Sequence, residues 1–600
     1  MSENSAKKKT GAENINWDLS DLYSSNEDPK LAKDKKKVVE QAEAFGEKYR
    51  GKVSELKAKA FKKMLDEYEE ILDLAGKLGS FAYLQWSTDT TNTSYGKLVA
   101  ESNELSSEVS QKLVFLDVEW LKIPDEEAQK LIESEELSKY KHYLESSRRY
   151  KEHVLEEKQE QILSAKSVTG RSAWVRYFDE TLGSAKFELD GEELSEQEVL
   201  SKLHESDRDL RVRAHASLTN KFNDLSRSLT FVFNTLLADK STNDKLRKYD
   251  SWIDSRNLSN QTDKETVNAL VDSVTSKYEL VQRYYKLKQQ LLGLDEMKDY
   301  DRYAPIMKNE ATIDWSSAKE MVLDSYTNFH PQMGEITKEF FEKSWIDAAI
   351  KPGKRGGAYS AGTVPSAHPY VFMNFDGKIR DVQTLAHELG HGVHQYLSRQ
   401  QGVLQSSTPL TTAETASVFG EMLVFQKLMK ELDDPKEKLA LLMGKIDDTI
   451  ATVFRQVSMN RFEHAMHTAR REEGELTTER FSELWMEQQK ALYGDSVSLT
   501  DEYGIWWSYI PHFLHTPGYV YAYAFGELLV LALYEEYTQR PDGFSDRYLD
   551  LLSAGGSEWP HDLVGKMGLD ITQPDFWNKG LSSFERMVEE AEEMAAELSN

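Results

Sequence analysis

The segment Leu385-Ala386-His387-Glu388-Leu389-Gly390-His391 carries two histidines four residues apart, with a glutamate beside the first. On a helix such a pair lies one turn apart on one face, where both imidazoles can reach a single Zn²⁺. Glu388 is offset by one position, so its carboxylate sits beside the metal rather than on it and can act as a base toward a water in an open coordination position. A catalytic zinc needs a third protein ligand. The chain has no cysteine, and no third histidine follows at the short spacing of metzincin-type sites, so a later carboxylate is the natural choice. The stretch Thr411-Thr412-Ala413-Glu414-Thr415-Ala416-Ser417-Val418-Phe419-Gly420-Glu421 offers two, seven residues apart and hence on one helix face. Glu414 is the expected ligand, and Glu421 the expected carboxylate holding a histidine ring by its second nitrogen. One zinc ion per chain follows.

These residues need elements to carry them. Leu385, Leu389 and Val393 supply an apolar face for a helix near 381–397 with Asp381 as N-cap, and Gly390 and Gly392 permit close approach at a cost in helix propensity. Ahead of it, residues 351–369 hold four glycines and three prolines, followed by a strand-like run at 370–375 and the turn Asp376-Gly377. A loop of this kind inside a helical protein usually has a function. Residues 17–163 show helical periodicity, and 186–194 read as a β-hairpin around Asp190-Gly191. Ser195, with Glu198 three residues on, caps the next helical stretch, and Ser206 or Asp207 caps another. The expected fold is therefore mostly α, with a small β element next to the zinc-binding helix. The division drawn from the sequence is a polar tail at 1–14, an N-terminal helical lobe at 15–185 and a catalytic region at 186–600.

Composition excludes other classes. A formal charge of −28 and a pI near 5.1 argue against nucleic acid and against an anionic membrane, both of which select clustered Lys and Arg. The polar start lacks the apolar core of a secretory signal, and no apolar run reaches membrane-spanning length. The cytoplasm is the expected compartment, short peptides the expected partners.

Several further stretches look alike to one family. Lys354-Arg355-Gly356-Gly357-Ala358-Tyr359-Ser360, His368-Pro369-Tyr370, Thr384 to His391, Glu414 to Glu421, and Pro511-His512-Phe513-Leu514-His515-Thr516-Pro517-Gly518-Tyr519-Val520-Tyr521-Ala522-Tyr523 together resemble the oligoendopeptidase F branch of the thimet oligopeptidase and neurolysin family. Trp17-Asp18-Leu19 and Phe576-Trp577 extend the likeness to nearly the whole chain. The resemblance implies a two-lobed helical fold with a deep channel that admits only short, unstructured peptides. It also implies Glu414 as third ligand and a 515–523 segment that faces the zinc. One departure is Gly518, where relatives often carry an aromatic residue; it bears on subsite shape more than on catalysis.

The mechanism expected is attack of an activated water on the scissile carbonyl, with Glu388 taking the proton and passing it to the leaving amine. His515, Tyr519 and Tyr523 are the expected donors to the oxyanion; Tyr519 and Tyr523 are one helical turn apart. Gly356, Gly357, Ala358 and Tyr359 are expected to pair with substrate backbone as an added strand, with His368 as a further substrate contact. His464 and His467 read as packing histidines. Two other readings stand beside the endopeptidase: a zinc carboxypeptidase of similar architecture, which would need a cationic clamp that no motif designates, and a peptide-binding protein without activity, which would not need Glu388.

Overall fold

A computed structural model describes residues 9–307 and 312–599. The chain forms two compact units, each woven from three separate segments: Met1–Lys151, Glu310–Lys430 and Tyr537–Leu569 in the first, Glu152–Asn309, Glu431–Glu536 and Asp570–Asn600 in the second. Their limits do not follow the division at residue 185 drawn from the sequence, because helical periodicity marks elements and not which elements pack together. Of the polar tail at 1–14, residues 1–8 lie outside the described residues. Residues 9–14 are mostly exposed but anchored: Ala12 is buried, and the Thr10 carbonyl accepts from the Trp315 N–H at 2.8 Å.

The first unit opens with three long helices, Pro29–Tyr49, Ala58–Thr88 and Thr93–Leu113, that pack on one another. The first starts where Asp28 accepts from the Lys30 N–H with Pro29 at the first helical position. It buries Leu31, Val38, Ala42, Phe45 and Tyr49, one apolar stripe at helical spacing. Further on, Trp315–Phe329 and Pro331–Glu342 pack against the helix that carries the histidine motif, Ile379–Ser398. Asp381 lies in the first turn of that helix, where its carboxylate accepts from the Lys378 N–H at 3.0 Å; it helps cap the helix from inside, two residues past the start.

A three-stranded sheet lies on the same helix. Tyr370–Phe372 runs down its middle, parallel to Ile346–Asp347 and antiparallel to Tyr359–Ala361, in the register Tyr359 with Phe372 and Ala361 with Tyr370. Only three residues of the strand-like run at 370–375 form the strand. All are fully buried, as a central strand covered on both faces must be. Trp17 packs on Tyr370 and Phe372, at 5.9 and 5.6 Å between ring centres, which accounts for its place among the matching stretches. The Lys354 ammonium is buried under the sheet, paired with Asp347 at 2.6 Å and donating to the carbonyls of Ala349 and Met373. Its charge is satisfied on all three protons.

In the second unit the hairpin Phe187–Leu189 with Glu192–Leu194 turns at Asp190 (φ 54°) and Gly191 (φ 85°), both in the left-handed region that a two-residue turn of this hand requires. Ser195 and Glu198 form the expected reciprocal cap of Glu196–Lys202. Asp207 caps the 39-residue helix Arg208–Leu246. The hairpin and Arg208–Leu246 share a core rich in aromatic rings, among them Phe222, Phe233, Trp485, Trp506 and Trp507.

The motif helix approaches its neighbour at backbone distance. A Cβ built on Gly390 would stand 2.6 Å from the Ser417 Cα, and one on Gly392 would stand 2.7 Å from the Phe340 ring. Gly390→Ala is therefore expected to cost about 1–3 kcal/mol through overpacking, despite a gain in helix propensity. Thermal unfolding of that variant, compared with Gly444→Ala, where nothing lies within 4 Å, checks the expectation; equal Tm values would overturn it.

Candidate active site

His387 and His391 project from one face of Ile379–Ser398, their ring centres 5.0 Å apart. Glu414 stands at the break between the helices Leu410–Ala413 and Thr415–Glu431, at φ −86° and ψ 2°, where its side chain leaves the helix surface. Its Oε2 lies 3.4 Å from His387 Nε2 and 3.2 Å from His391 Nε2, and the Ser417 hydroxyl donates to the same oxygen at 2.6 Å. Among the described residues this is the one group of three or more His, Asp or Glu side chains whose donor atoms all come within 4.8 Å of one another. Donors about 2.1 Å from one tetrahedral ion stand about 3.4 Å from each other. The two distances to Glu414 match that spacing, and two imidazoles with one carboxylate suit a divalent cation of borderline softness.

The charges around the rings also call for a cation. Glu421 Oε2 lies 3.4 Å from His387 Nδ1, on the side away from Glu414. Burial alone would depress the His387 pKa, but hydrogen bonding to Glu414 and Glu421 outweighs it and pushes the pKa up to about 10. Burial works against the Glu414 carboxylate too, yet the two histidines hold it far below the usual carboxylate range. Glu388 is 7% exposed. Burial raises its pKa, while His387 and His391 pull it back. Tyr326 fixes the helix from behind by donating to the Ala386 carbonyl.

Glu388 and His391 line a cavity of about 500 Å³ within the first unit. Its opposite side is formed by Ala358, Tyr359, Ser360 and the following residues 362–365. Tyr359–Ala361 is the outer strand of the sheet, and its Ser360 carbonyl accepts from the Gln395 amide at 3.4 Å. Gly356 and Gly357 do not line the cavity. They are exposed in the preceding turn, where Gly357 has φ 82° and its carbonyl already accepts from Asn374. Of the expected peptide-pairing stretch, only Ala358 and Tyr359 line the cavity. His368 is also absent from the lining. It is 7% exposed, stacked on Trp345 at 3.8 Å and held by Asp21 and the Pro369 carbonyl. Residues that the sequence reading passed over do line the cavity: His394, Gln395 and Arg399. Their signal was the continuation of the helical period from Glu388 and His391.

The second unit holds the segment with the tyrosines. Tyr519 and Tyr523 lie edge to face at 4.7 Å, both half-buried, while Tyr521 is fully buried and its hydroxyl bonds Asn257 and Asn260. The pairing of Tyr519 with Tyr523 is as the spacing predicts. The neighbour of Tyr523 is His512, whose Nε2 is 3.2 Å from the phenol oxygen. The His515 ring is turned instead to Asp179 at 2.7 Å. Gly518, at φ 76°, makes the turn: its N–H donates to the buried Glu463 carboxyl at 2.7 Å, and a Cβ there would meet Ile253 at 2.6 Å. A side chain at this position would be strained by the positive φ and would crowd Ile253. His467 stacks on Trp252 at 4.6 Å and His464 accepts from the Trp252 indole, so both pack.

A mainly helical chain with a small sheet beside a two-histidine, one-glutamate cluster and an adjacent buried glutamate defines a metallopeptidase. Residues 201–583 match Peptidase family M3, and residues 119–187 match Oligopeptidase F. The chain is 30% identical over 589 residues to Oligopeptidase PepF of Bacillus subtilis (strain 168), covering 96% of this chain and 87% of that protein. Its fold is that of a crystal structure from Chlamydophila abortus, with a TM-score of 0.84, 24% identity and coverage of 97% and 98% of the two chains. A crystal structure of oligoendopeptidase-F from Enterococcus faecium gives a TM-score of 0.72 at 25% identity, over 94% and 98% of the chains. The chain belongs to peptidase family M3 and is a metalloendopeptidase. Among the described residues no helix is long and apolar enough to cross a membrane.

Glu463 carries a pH signature. Burial pushes its carboxyl up to about 8, against the Gly518 hydrogen bond and the charges of Arg256 and Lys240. A folded-state pKa above the unfolded value means that its contribution to stability is complete below about pH 4.5 and is lost as the pH rises through about 8. Glu463→Gln is expected to flatten the fall of Tm over that window relative to the unaltered protein. Parallel curves for the two proteins would contradict it.

Proposed function

We propose that the chain hydrolyses internal bonds of short, unstructured peptides at a zinc ion held by His387, His391 and Glu414, with Glu388 as the general base. The observation that carries this reading is the spacing of the three donor atoms beside a buried carboxyl group, in a cavity flanked by the outer strand of the sheet. A zinc ion in such a site polarises a carbonyl and lowers the pKa of a water from about 15.7 toward about 7. Glu388 takes the proton of the attacking water and delivers it to the leaving amine. The Tyr359–Ala361 edge pairs with substrate backbone, which gives affinity without demanding particular side chains. Glu421 holds the His387 ring by Nδ1 and keeps Nε2 aimed at Glu414 and the metal. Tyr519 and Tyr523 donate to the developing oxyanion; the likeness of their segment to the family and their mutual contact support that role.

The relatives named as oligopeptidases favour the endopeptidase over the carboxypeptidase reading, and the buried Glu388 favours an enzyme over a binding protein. The deciding experiment incubates metal-loaded protein with end-blocked short peptides and with one folded protein. Internal cleavage of the peptides alone is expected, with a loss on the order of 10²-fold or more in Glu388→Gln and on chelation. Digestion of the folded protein, or full activity of Glu388→Gln, would overturn the reading.

The tyrosines are tested apart. Tyr519→Phe and Tyr523→Phe are each expected to lower kcat with little change in KM, on the order of 10²-fold for the stronger donor. Unchanged kcat in both would end the donor assignment without touching the metal site.

A further inference from the structure

The cavity beside Glu388 contains a cation that the proposed hydrolysis does not use. Glu388, Gln395 and Arg399 follow one another at intervals of seven and four residues, so they share a face of Ile379–Ser398 and the turn Arg399–Gln401 that continues it. All three line the cavity. The Arg399 guanidinium is held in place: it lies 3.8 Å from the centre of the Tyr396 ring, and its Nη1 donates to the Ala367 carbonyl at 3.1 Å. Both contacts leave its charge unbalanced. Among the described residues no carboxylate lies within ion-pair distance of it, and the one acidic residue lining the cavity is Glu388. Eleven residues of helix put Glu388 about 16 Å away along the axis.

The outer strand lies along the same cavity. The Ser360 backbone faces Glu388, the Ser360 hydroxyl donates to Gln395 at 2.8 Å and its carbonyl accepts from the Gln395 amide at 3.4 Å, Gly362 lies against Gln395, and the Ala367 carbonyl reaches Arg399. The lining of this one cavity therefore extends from Glu388 and His391 to the guanidinium. His391 and Arg399 are separated by about 12 Å along the axis, the span of three to four extended residues at about 3.3 Å each.

We propose that Arg399 is a substrate subsite for a peptide-borne carboxylate placed three to four residues from the scissile bond. The carboxylate is either the free C-terminus or an Asp or Glu side chain, and the guanidinium takes it through the N–H groups that Ala367 does not use. The subsite rests on the peptidase reading above and adds to it a preference by length or by charge. It also supplies the cationic group that a carboxypeptidase would need, but several residues from the metal, where it selects short peptides cut internally.

The test uses neutral peptides with one carboxylate at stepped distances from the cleaved bond. In one arm it is a free C-terminus compared with the amide; in the other, an internal Glu compared with Gln in end-blocked peptides. The acid is expected to exceed its neutral partner by on the order of 10-fold in kcat/KM, mostly through KM, with a maximum at three to four residues. Arg399→Gln should bring the acid down to the level of the neutral peptide and leave the neutral peptide within about two-fold, while Arg399→Lys keeps part of the preference. An advantage confined to one arm identifies the source of the carboxylate. No advantage at any distance, or an equal loss for acid and neutral peptides in Arg399→Gln, overturns the subsite. Affinity of the same peptides for Glu388→Gln is measured alongside. Tighter binding of the acid there supports the subsite even if no peptide is hydrolysed, and equal binding overturns it, so its failure is distinguishable from that of the peptidase reading.

Discussion

The cluster of His387, His391 and Glu414 depends on a contact between two backbones. Glu414 follows His391 by more than twenty residues, yet its carboxylate stands 3.4 and 3.2 Å from two imidazole nitrogens. Gly390 makes this possible by letting Ile379–Ser398 close on Ala416 and Ser417 without an intervening side chain. Gly420 does the same for the Tyr326 hydroxyl, and Gly392 for the Phe340 ring. Three glycines in two helices carry a cost of roughly 1 kcal/mol each in propensity relative to alanine. What they obtain is a separation set by backbone rather than by flexible side chains, which is how a ligand geometry is kept to a fraction of an ångström.

Around that contact the charges are arranged in excess on the acidic side. Glu414, Glu421 and Glu388 surround two histidines, so the cluster without a cation drives His387 toward its protonated form. A divalent ion held by His387, His391 and Glu414 would take the place of that proton and offset the acidic charge. The same unit treats another buried charge differently. Lys354 is enclosed by Asp347 and two carbonyls, so it stiffens the sheet and has no proton or bond left to offer a substrate. Arg399, by contrast, is oriented by a ring and one carbonyl and keeps its charge open to the cavity.

In the second unit, placement of the tyrosine pair follows the same economy of anchors. Tyr521 is buried and doubly bonded by asparagines, Gly518 is tied to Glu463, and the Pro517 carbonyl accepts from Arg256. The residues between these ties, Tyr519 and Tyr523, keep their rings together and partly open. Glu463 performs this from full burial, with its second oxygen lacking a protein partner, which is why its carboxyl prefers to remain protonated.

Much of this was legible in the order of residues because it is local. The spacing of His387 and His391, the Asp190-Gly191 turn, the cap at Ser195 and the alternation of Tyr519 with Tyr523 each involve residues within about one turn of one another, where backbone geometry alone decides who meets whom. The family likeness carried the choice of Glu414 further than spacing could. Other features depended on segments distant in the chain. That the outer strand begins at Tyr359 rather than Gly356 follows from pairing with Tyr370–Phe372; that His368 is buried follows from Trp345 and Asp21; that the chain turns at Gly518 with a positive φ follows from its ties to Ile253 and Glu463. The sequence by itself determined which side chains could bind a metal and move a proton, since those are properties of residue type and helical period. Only the tertiary structure decided which of its many charged groups would be neutralised and which left facing the cavity, because neutralisation requires a partner that chain order does not bring near.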